Sequence, residues 1–261
     1  MADENDDQQA RDEDARAFID VDVARAYRQR PPYPEALFAE LSRTVAGSRT
    51  VLDLGCGTGD ICRRLAPYVD RIDAVDVSEP MMAAGRRLPG GTSPKITWHR
   101  SPAEAFTCNG PYGLALAGES LHWMQLATVL PKIAAALADG ARFGVISREE
   151  SAPWGTDFLQ IIPGFSAAKA YRPRDLVAEI ESAGLGECER TIVFGPEPFS
   201  QTVDDYVELQ HSRGAFALRR MGAKRSAEFD HALRAILADY AVDGCVTYEF
   251  SATARFFRLH R

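Results

Sequence analysis

The run Val51-Leu52-Asp53-Leu54-Gly55-Cys56-Gly57-Thr58-Gly59-Asp60 limits what this chain can fold into more than any other stretch. Thr50–Leu54 reads as a buried strand, and three glycines then supply its exit turn. Glycine carries no Cβ, so backbone built from it can approach a ligand closely. In an open α/β sheet, ligands bind beyond the carboxyl ends of the strands, at the point where the strand order reverses. The nicotinamide-dinucleotide fingerprint is G-x-G-x-x-G, with the pyrophosphate resting on the following helix N-terminus. Here Asp60 stands where that fingerprint has its third glycine. An acid at that helix start is expected to repel a pyrophosphate, which argues against a nicotinamide oxidoreductase.

Two further acids frame the turn. Asp53 ends the strand two residues before Gly55, where a carboxylate can accept hydrogen bonds from an ammonium group. Asp76 ends the next strand, about twenty residues beyond Gly55, the position that reads ribose hydroxyls in folds of this kind. A turn that merely needed glycine would not require either acid. The combination predicts a nucleoside-type cofactor.

From Thr50 onward, strand, turn and helix alternate. Strands are expected at Thr50–Leu54, Arg71–Val75, Ile96–Arg100, Tyr112–Ala117 and Ala141–Ser147, with helices over Asp60–Leu65, Pro80–Arg87 and Ala127–Ala138. Further on, Arg174–Ala183 reads as a helix, Glu187–Phe194 and Tyr248–Leu259 as strands, and 196–245 as mostly helical, with segments near Val203–Arg213 and Arg225–Tyr240. This predicts an α/β fold: a doubly wound, mostly parallel seven-stranded sheet, Rossmann-like, with a helical cap. Before the core, Ala15–Tyr27 reads as one amphipathic helix that Arg30-Pro31-Pro32-Tyr33-Pro34 breaks. A second helix then follows through Leu37, Phe38 and Leu41. The expected organisation is an acidic disordered tail at 1–16, N-terminal cap helices at 17–46 and a cofactor-binding core at 47–150. The remaining strands lie in 151–261, interrupted by cap insertions at about 151–172 and 196–245.

Charge and cysteine usage narrow the function classes. Residues 1–16 hold seven acids and two arginines, so most of the net charge of −7 belongs to the tail. The rest is near neutral without a basic stripe, which argues against a nucleic-acid partner. No apolar run approaches the length that spans a bilayer, and the acidic N-terminus lacks the apolar segment of a signal peptide. The five scattered cysteines form no CxxC or Cys/His cluster, so neither a disulfide framework nor a metal site is expected. Free thiols fit a cytoplasmic protein.

The chain resembles the class I S-adenosylmethionine-dependent methyltransferases. The likeness rests on Val51–Asp60, Ile72–Met82, Arg100–Glu104 and Leu114–Trp123. Within that group, Tyr27–Pro34 and Glu119–Trp123 are similar to the small-molecule branch that includes trans-aconitate methyltransferase. The resemblance implies S-adenosylmethionine as cofactor and S-adenosylhomocysteine as product. It places Asp53 and the Gly55, Cys56, Gly57 and Gly59 backbone at the methionine end. Asp76 would hold the ribose, with Val77 and Met81 beside the adenine and Ala103 and Glu104 flanking its amine. Gly118 would lie beside the sulfonium, and Tyr27 and Arg30 would reach over the cofactor.

Methyl transfer is an in-line displacement on an already activated carbon, so positioning supplies much of the acceleration. A base is needed only when the acceptor has a proton to lose. His122, after the fourth strand, is the candidate base because its ordinary pKa suits proton transfer near neutrality. Tyr33, Trp123, Trp154 and Arg213 are candidate substrate-pocket residues, Arg213 as a bidentate partner of an acidic acceptor. Other cap aromatics, among them Phe158, Tyr171, Tyr206 and Phe216, read as cap core. Asn109-Gly110-Pro111-Tyr112 reads as a turn, since it precedes the strand that an amino-methylating motif would follow. The expected partner is a small-molecule methyl acceptor, taking the methyl on a carboxylate or hydroxyl oxygen. The alternatives are C- or N-methylation of a secondary metabolite, or cofactor binding without catalysis. A monomer or homodimer is expected.

Overall fold

The computed structural model of the protein describes residues 15–168 and 174–261. The acidic tail expected over 1–16 lies outside the described residues except for Ala15 and Arg16, and Tyr171 lies outside them too. In chain order the elements are α1 (Val21–Ala26), α2 (Glu35–Thr44), β1 (Thr50–Leu54), α3 (Cys62–Leu65), β2 (Arg71–Asp76), α4 (Glu79–Arg87), β3 (Ile96–Arg100), β4 (Tyr112–Gly118), α5 (Leu126–Ala136), β5 (Leu137–Ser151), α6 (Gly155–Phe165), α7 (Leu176–Ser182), β6 (Gly186–Thr202), α8 (Val203–Gln210), α9 (Leu218–Met221), α10 (Ala223–Leu237) and β7 (Cys245–Leu259). Short 3-10 turns join several of them.

Among the described residues the strands form one seven-stranded sheet of order β3-β2-β1-β4-β5-β7-β6. β2 and β4 flank β1 in parallel, and β3 and β5 extend the parallel pairing on either side. One antiparallel hairpin closes an edge, so the sheet is doubly wound and mostly parallel, as the alternation predicts. The chain steps outward from β1 to β3 and returns to lay β4 on the other side of β1. The strand order therefore reverses between β1 and β4, which is where an open α/β sheet binds its ligand.

Residue alternation explains why the middle strands hold. Side chains on a strand point to opposite faces with period two. Val51, Leu114 and Leu116 join one apolar cluster, while Leu52, Leu54, Ala115 and Ala117 join another. Both faces are thus covered, and the strands read as near-continuous apolar runs. On the first face α2 contributes Leu37, Phe38 and Leu41, all fully buried. α4 starts cleanly because the Ser78 hydroxyl accepts from the Met81 amide and Pro80 occupies the first turn.

The chain divides into two compact units. The sheet unit takes the described residues 32–149, 174–195 and 251–261. The helical unit takes 15–31, 150–168 and 196–250. The division falls between Pro31 and Pro32, so the block 17–46 read from the sequence as one is shared, with α2 in the sheet unit. The helical unit has its own core, in which Phe216 and Phe229 stack at 4.8 Å and Trp154 meets Tyr206 edge-on at 5.0 Å.

Three sequence expectations need correction. The single helix over Ala15–Tyr27 is broken at Asp20, which is extended at φ −77° and ψ 136° and binds Arg219. β6 runs to Thr202, through Pro196 and Pro198, where the sequence reads as helix. Proline cannot donate to a ladder, and β6 tolerates two because it is the edge strand. β5 spans Leu137–Ser151, well beyond the expected Ala141–Ser147.

Among the described residues no helix is long and apolar enough to cross a membrane, and no three His, Cys, Asp or Glu side chains are grouped to hold a metal. All five cysteines are free. Phe143 is fully buried in the second cluster. Phe143→Ala is expected to cost about 3–5 kcal/mol, read as a shift in the denaturant midpoint of the sheet unit.

Candidate functional site

The loop after β1 is shaped by conformation and by crowding together. Gly55, Gly57 and Gly59 sit at φ of 65°, 55° and 76°, the left-handed region that side chains rarely adopt. A Cβ on Gly55 would lie 2.3 Å from the Ser120 Cβ, and one on Gly59 would lie 2.5 Å from Trp98 and 2.8 Å from the Cys62 sulfur. At Gly57 the nearest atom would be the flexible end of Met81, at 3.2 Å. The strand that follows the switch supplies the packing at Gly55: Ser120 also donates to the Leu54 carbonyl at 2.7 Å.

Asp76 ties this loop to the next crossover. One carboxylate oxygen accepts from the Gly57 amide at 2.8 Å and the other from the Ser78 amide at 2.7 Å. Burial pushes the Asp76 carboxyl upward, and these amides oppose the shift. Beside it Val77 exposes 43 % of its surface, an apolar side chain left uncovered at the sheet's carboxyl edge. Met81 is buried against the loop.

Asp53 is 2 % exposed, and its Oδ2 has no hydrogen-bond partner. Burial pushes its pKa up to about 7, hydrogen bonding from Cys62 opposes this, and the charges of Asp76 and Asp60 add to it. A buried unpaired carboxylate oxygen is costly unless a ligand pairs it. It lies at the end of β1, at the switch point and next to the glycine loop.

Asp60 behaves differently from the sequence expectation. Helix α3 starts only at Cys62, so Asp60 is not its first residue. Its carboxylate pairs with Arg63 at 2.8 Å, accepts from Thr58 at 2.9 Å and lies 4.0 Å from Arg148. Those two guanidiniums offset its charge, so repulsion of a pyrophosphate by Asp60 no longer separates the cofactor classes.

Beyond β4, Gly118 is enclosed: a Cβ there would meet Ile61 at 2.4 Å and the Tyr33 hydroxyl at 3.3 Å. Glu119 takes a φ of 57°, unusual for a side-chain-bearing residue, and its carboxylate accepts from the Arg148 amide at 2.8 Å. Arg148 is the residue that sequence reading misses. Its side chain is only 7 % exposed, and its guanidinium lies 4.3 Å from the centre of the Tyr33 ring. The one available signal was an arginine directly after an apolar strand.

His122 lies in a 3-10 turn after β4, with its ring 4.3 Å from that of Trp123. Arg174 secures this turn by donating to the His122 carbonyl at 3.0 Å while pairing with Glu179. Ala103 packs at the edge of the second cluster. Glu104 has a task within the fold: one oxygen accepts from the Gln125 amide at 2.9 Å, and its carbonyl accepts from Lys132. The remaining candidates, Tyr27, Arg30, Trp154 and Arg213, belong to the helical unit. There the Arg30 guanidinium lies 4.2 Å over the Tyr27 ring and donates to Ser212, while Trp154 is buried and Arg213 pairs with Glu150.

Residues 51–140 match the methyltransferase domain family. An uncharacterized methyltransferase of Mycobacterium tuberculosis is 31 % identical over 207 residues, covering 76 % of this chain and 72 % of that one. The chain belongs to the class I S-adenosylmethionine-dependent methyltransferases. The fold agrees with solved methyltransferases. One is a putative type II methyltransferase from Anaeromyxobacter dehalogenans, with a TM-score of 0.59 at 21 % identity, covering 87 % of this chain and 96 % of that one. Another is an S-adenosylmethionine-dependent methyltransferase from Geobacter sulfurreducens crystallised with S-adenosylhomocysteine, with a TM-score of 0.51 at 14 % identity, covering 88 % and 92 %.

The loop geometry of this methyltransferase separates two substitutions. Gly57→Ala carries only the backbone penalty of a left-handed alanine, about 1–2 kcal/mol. Gly55→Ala adds the overlap with Ser120 and is expected to cost more. Denaturant midpoints of the two variants check this, and equal losses would remove Ser120 from the account.

Proposed function

We propose that this methyltransferase transfers the methyl group of S-adenosylmethionine to an oxygen of a small molecule, a carboxylate first and a hydroxyl second. The orphaned Asp53 Oδ2 beside the glycine cradle carries the cofactor part of the reading. Under it, Asp53 takes the ammonium of the cofactor's methionine end and the Gly55–Gly59 backbone lies under its chain. The free lone pairs of Asp76 take the ribose hydroxyls, and exposed Val77 and buried Met81 cover the adenine. Ala103 and Glu104 border the adenine amine, although one Glu104 oxygen is already engaged. Gly118 lies next to the sulfonium. When bound, the cofactor supplies a methyl carbon already activated by positive sulfur.

Buried Arg148, stacked on Tyr33 next to Gly118, supports an anionic acceptor. The similarity of Tyr27–Pro34 to the trans-aconitate branch points the same way. The net charge of −7 gives no long-range attraction for a polyanion such as nucleic acid.

The two oxygen acceptors differ in what they ask of His122. A carboxylate is already ionised at neutral pH and releases no proton, so the chain needs only to orient it. A hydroxyl must lose its proton, and a positioned base contributes about 10²–10⁴-fold there. Turnover of His122→Ala with labelled cofactor distinguishes them. A carboxylate acceptor predicts activity within a few-fold of the parent, and a hydroxyl acceptor predicts the larger loss.

The cofactor assignment has its own pH signature. With Asp53 titrating near 7 in the free protein, its ionised fraction rises about tenfold between pH 6 and pH 8. Affinity for S-adenosylhomocysteine is expected to rise by that factor over the same range. Asp53→Asn should weaken binding and flatten the profile. An Asp53→Asn protein that binds as tightly as the parent at pH 8 would sink the assignment.

A further inference from the structure

His211 is the C-cap of α8, and its side chain is sealed inside the helical unit at 6 % exposure. Both of its ring nitrogens meet an oxygen. Nδ1 lies 2.8 Å from the Phe216 carbonyl, and Nε2 lies 2.8 Å from an Asp230 carboxylate oxygen. Phe216 ends the 3-10 turn Gly214–Phe216, and Asp230 stands on α10. One ring therefore ties the end of α8 both to the turn that follows it and to α10. Phe229, the residue before Asp230, packs its own ring 5.9 Å from the imidazole.

Those two neighbours dictate how many protons the ring carries. A carbonyl oxygen accepts and does not donate, and the same holds for a carboxylate. A neutral imidazole has one N–H and one bare lone pair, whichever tautomer it takes. Either tautomer would turn that lone pair on an oxygen 2.8 Å away, in buried surroundings where the repulsion is weakly screened. The doubly protonated ring donates to both oxygens. The Arg234 guanidinium lies 3.8 Å from the second Asp230 oxygen and favours the carboxylate over the acid. A buried charge has to be paired and hydrogen-bonded, and an imidazolium in this place is both. Its position at the C-terminal end of α8, where the helix dipole favours a cation, adds to the same preference.

The other charges on the surrounding elements are engaged elsewhere. On α8 itself, Asp204 pairs with Arg234 at 3.0 Å, and Glu208 takes Arg25 of α1 at 3.5 Å and Arg28 of the next turn at 3.7 Å. Arg213 pairs with Glu150, Arg219 of α9 with Asp20, and Arg220 donates to the Gly214 carbonyl. On α10, Lys224 faces Glu228 and His231 is exposed. Among the described residues, Asp230 is the one charged side chain within hydrogen-bond reach of the His211 ring.

We propose that His211 is carried as an imidazolium, and that its second proton is a pH-sensitive latch on the helical unit. The latch is closed on the acid side of neutrality. As pH rises and the ring gives up that proton, one contact has to open, and α8 loses its tie either to the turn or to α10. The device lies within the helical unit and rests on neither the cofactor assignment nor the acceptor.

Nitrogen-15 NMR of the labelled full chain reads the ring directly, with His211 assigned through its backbone connectivity. At about pH 7.5 an ordinary histidine is roughly nine-tenths neutral. His211 is expected to show two protonated ring nitrogens there, and one bare nitrogen would overturn the proposal. Asp230→Asn supplies a second readout. Its amide N–H can donate to Nε2 while Nδ1–H donates to Phe216, so a neutral ring satisfies both neighbours. The folded parent then holds one proton more than the folded variant. The ratio of their unfolding constants, parent over variant, is expected to rise about tenfold per pH unit from about pH 6.5 upward. Titrations shared by the two proteins cancel in that ratio. A contact with a purely structural role gives a ratio that does not move with pH, and a flat ratio would sink the latch.

Discussion

The Asp76 carboxylate holds two chain reversals at once. By accepting from Gly57 and from Ser78, it fixes the turn after β1 to the start of the crossover after β2. Everything at the carboxyl edge of the sheet is placed relative to that pair of hydrogen bonds. The positive φ values of Gly55, Gly57 and Gly59 are open to glycine, and the bond to the Gly57 amide pins the loop at its middle. Ser78, oriented by its own amide, is free to cap α4 through its hydroxyl. A single side chain of different length would release the loop, the cap and the first turn of the helix together. The same carboxylate keeps further lone pairs beyond those two bonds.

A second constraint is the cost of leaving polar atoms dry. Asp53 and Gln210 both keep orphaned atoms in buried surroundings, one in each unit. Folding alone does not favour such arrangements, because a leucine or an asparagine turned outward would avoid the penalty. Asp73 is the contrast: it is equally buried, yet Tyr112 donates to one oxygen at 2.8 Å and His99 lies 3.0 Å from the other. A buried carboxylate whose partners are all internal belongs to the core. Asp53 differs in keeping one oxygen without an internal partner.

Much of the sheet was legible because its strands are buried on both faces and announce themselves as short apolar runs between glycine turns. Ile96–Arg100 has the bounds the pattern predicts, and Thr50–Leu54 does too. Elements outside that alternation were harder to read. The prolines in β6 look like breakers until the strand is known to lie at an edge, and Asp20 interrupts a helix whose apolar spacing continues past it. At the cofactor loop, the glycines and acids were visible in the sequence, but the ion pairs that offset the charge of Asp60 were not, since Arg148 comes from a strand far along the chain. Gln210 was invisible for another reason. A glutamine in an amphipathic helix reads as solvated, and only packing reveals that this one is sealed in.

The prolines of β6 have an effect beyond their tolerance. An outer strand presents a row of unpaired amides that invites a second chain to continue the sheet, which is the route by which many β-rich proteins aggregate. Pro196 and Pro198 delete two of those donors. Recruitment of a neighbouring strand along that stretch would leave carbonyls unanswered, so this margin is a poor template for growth.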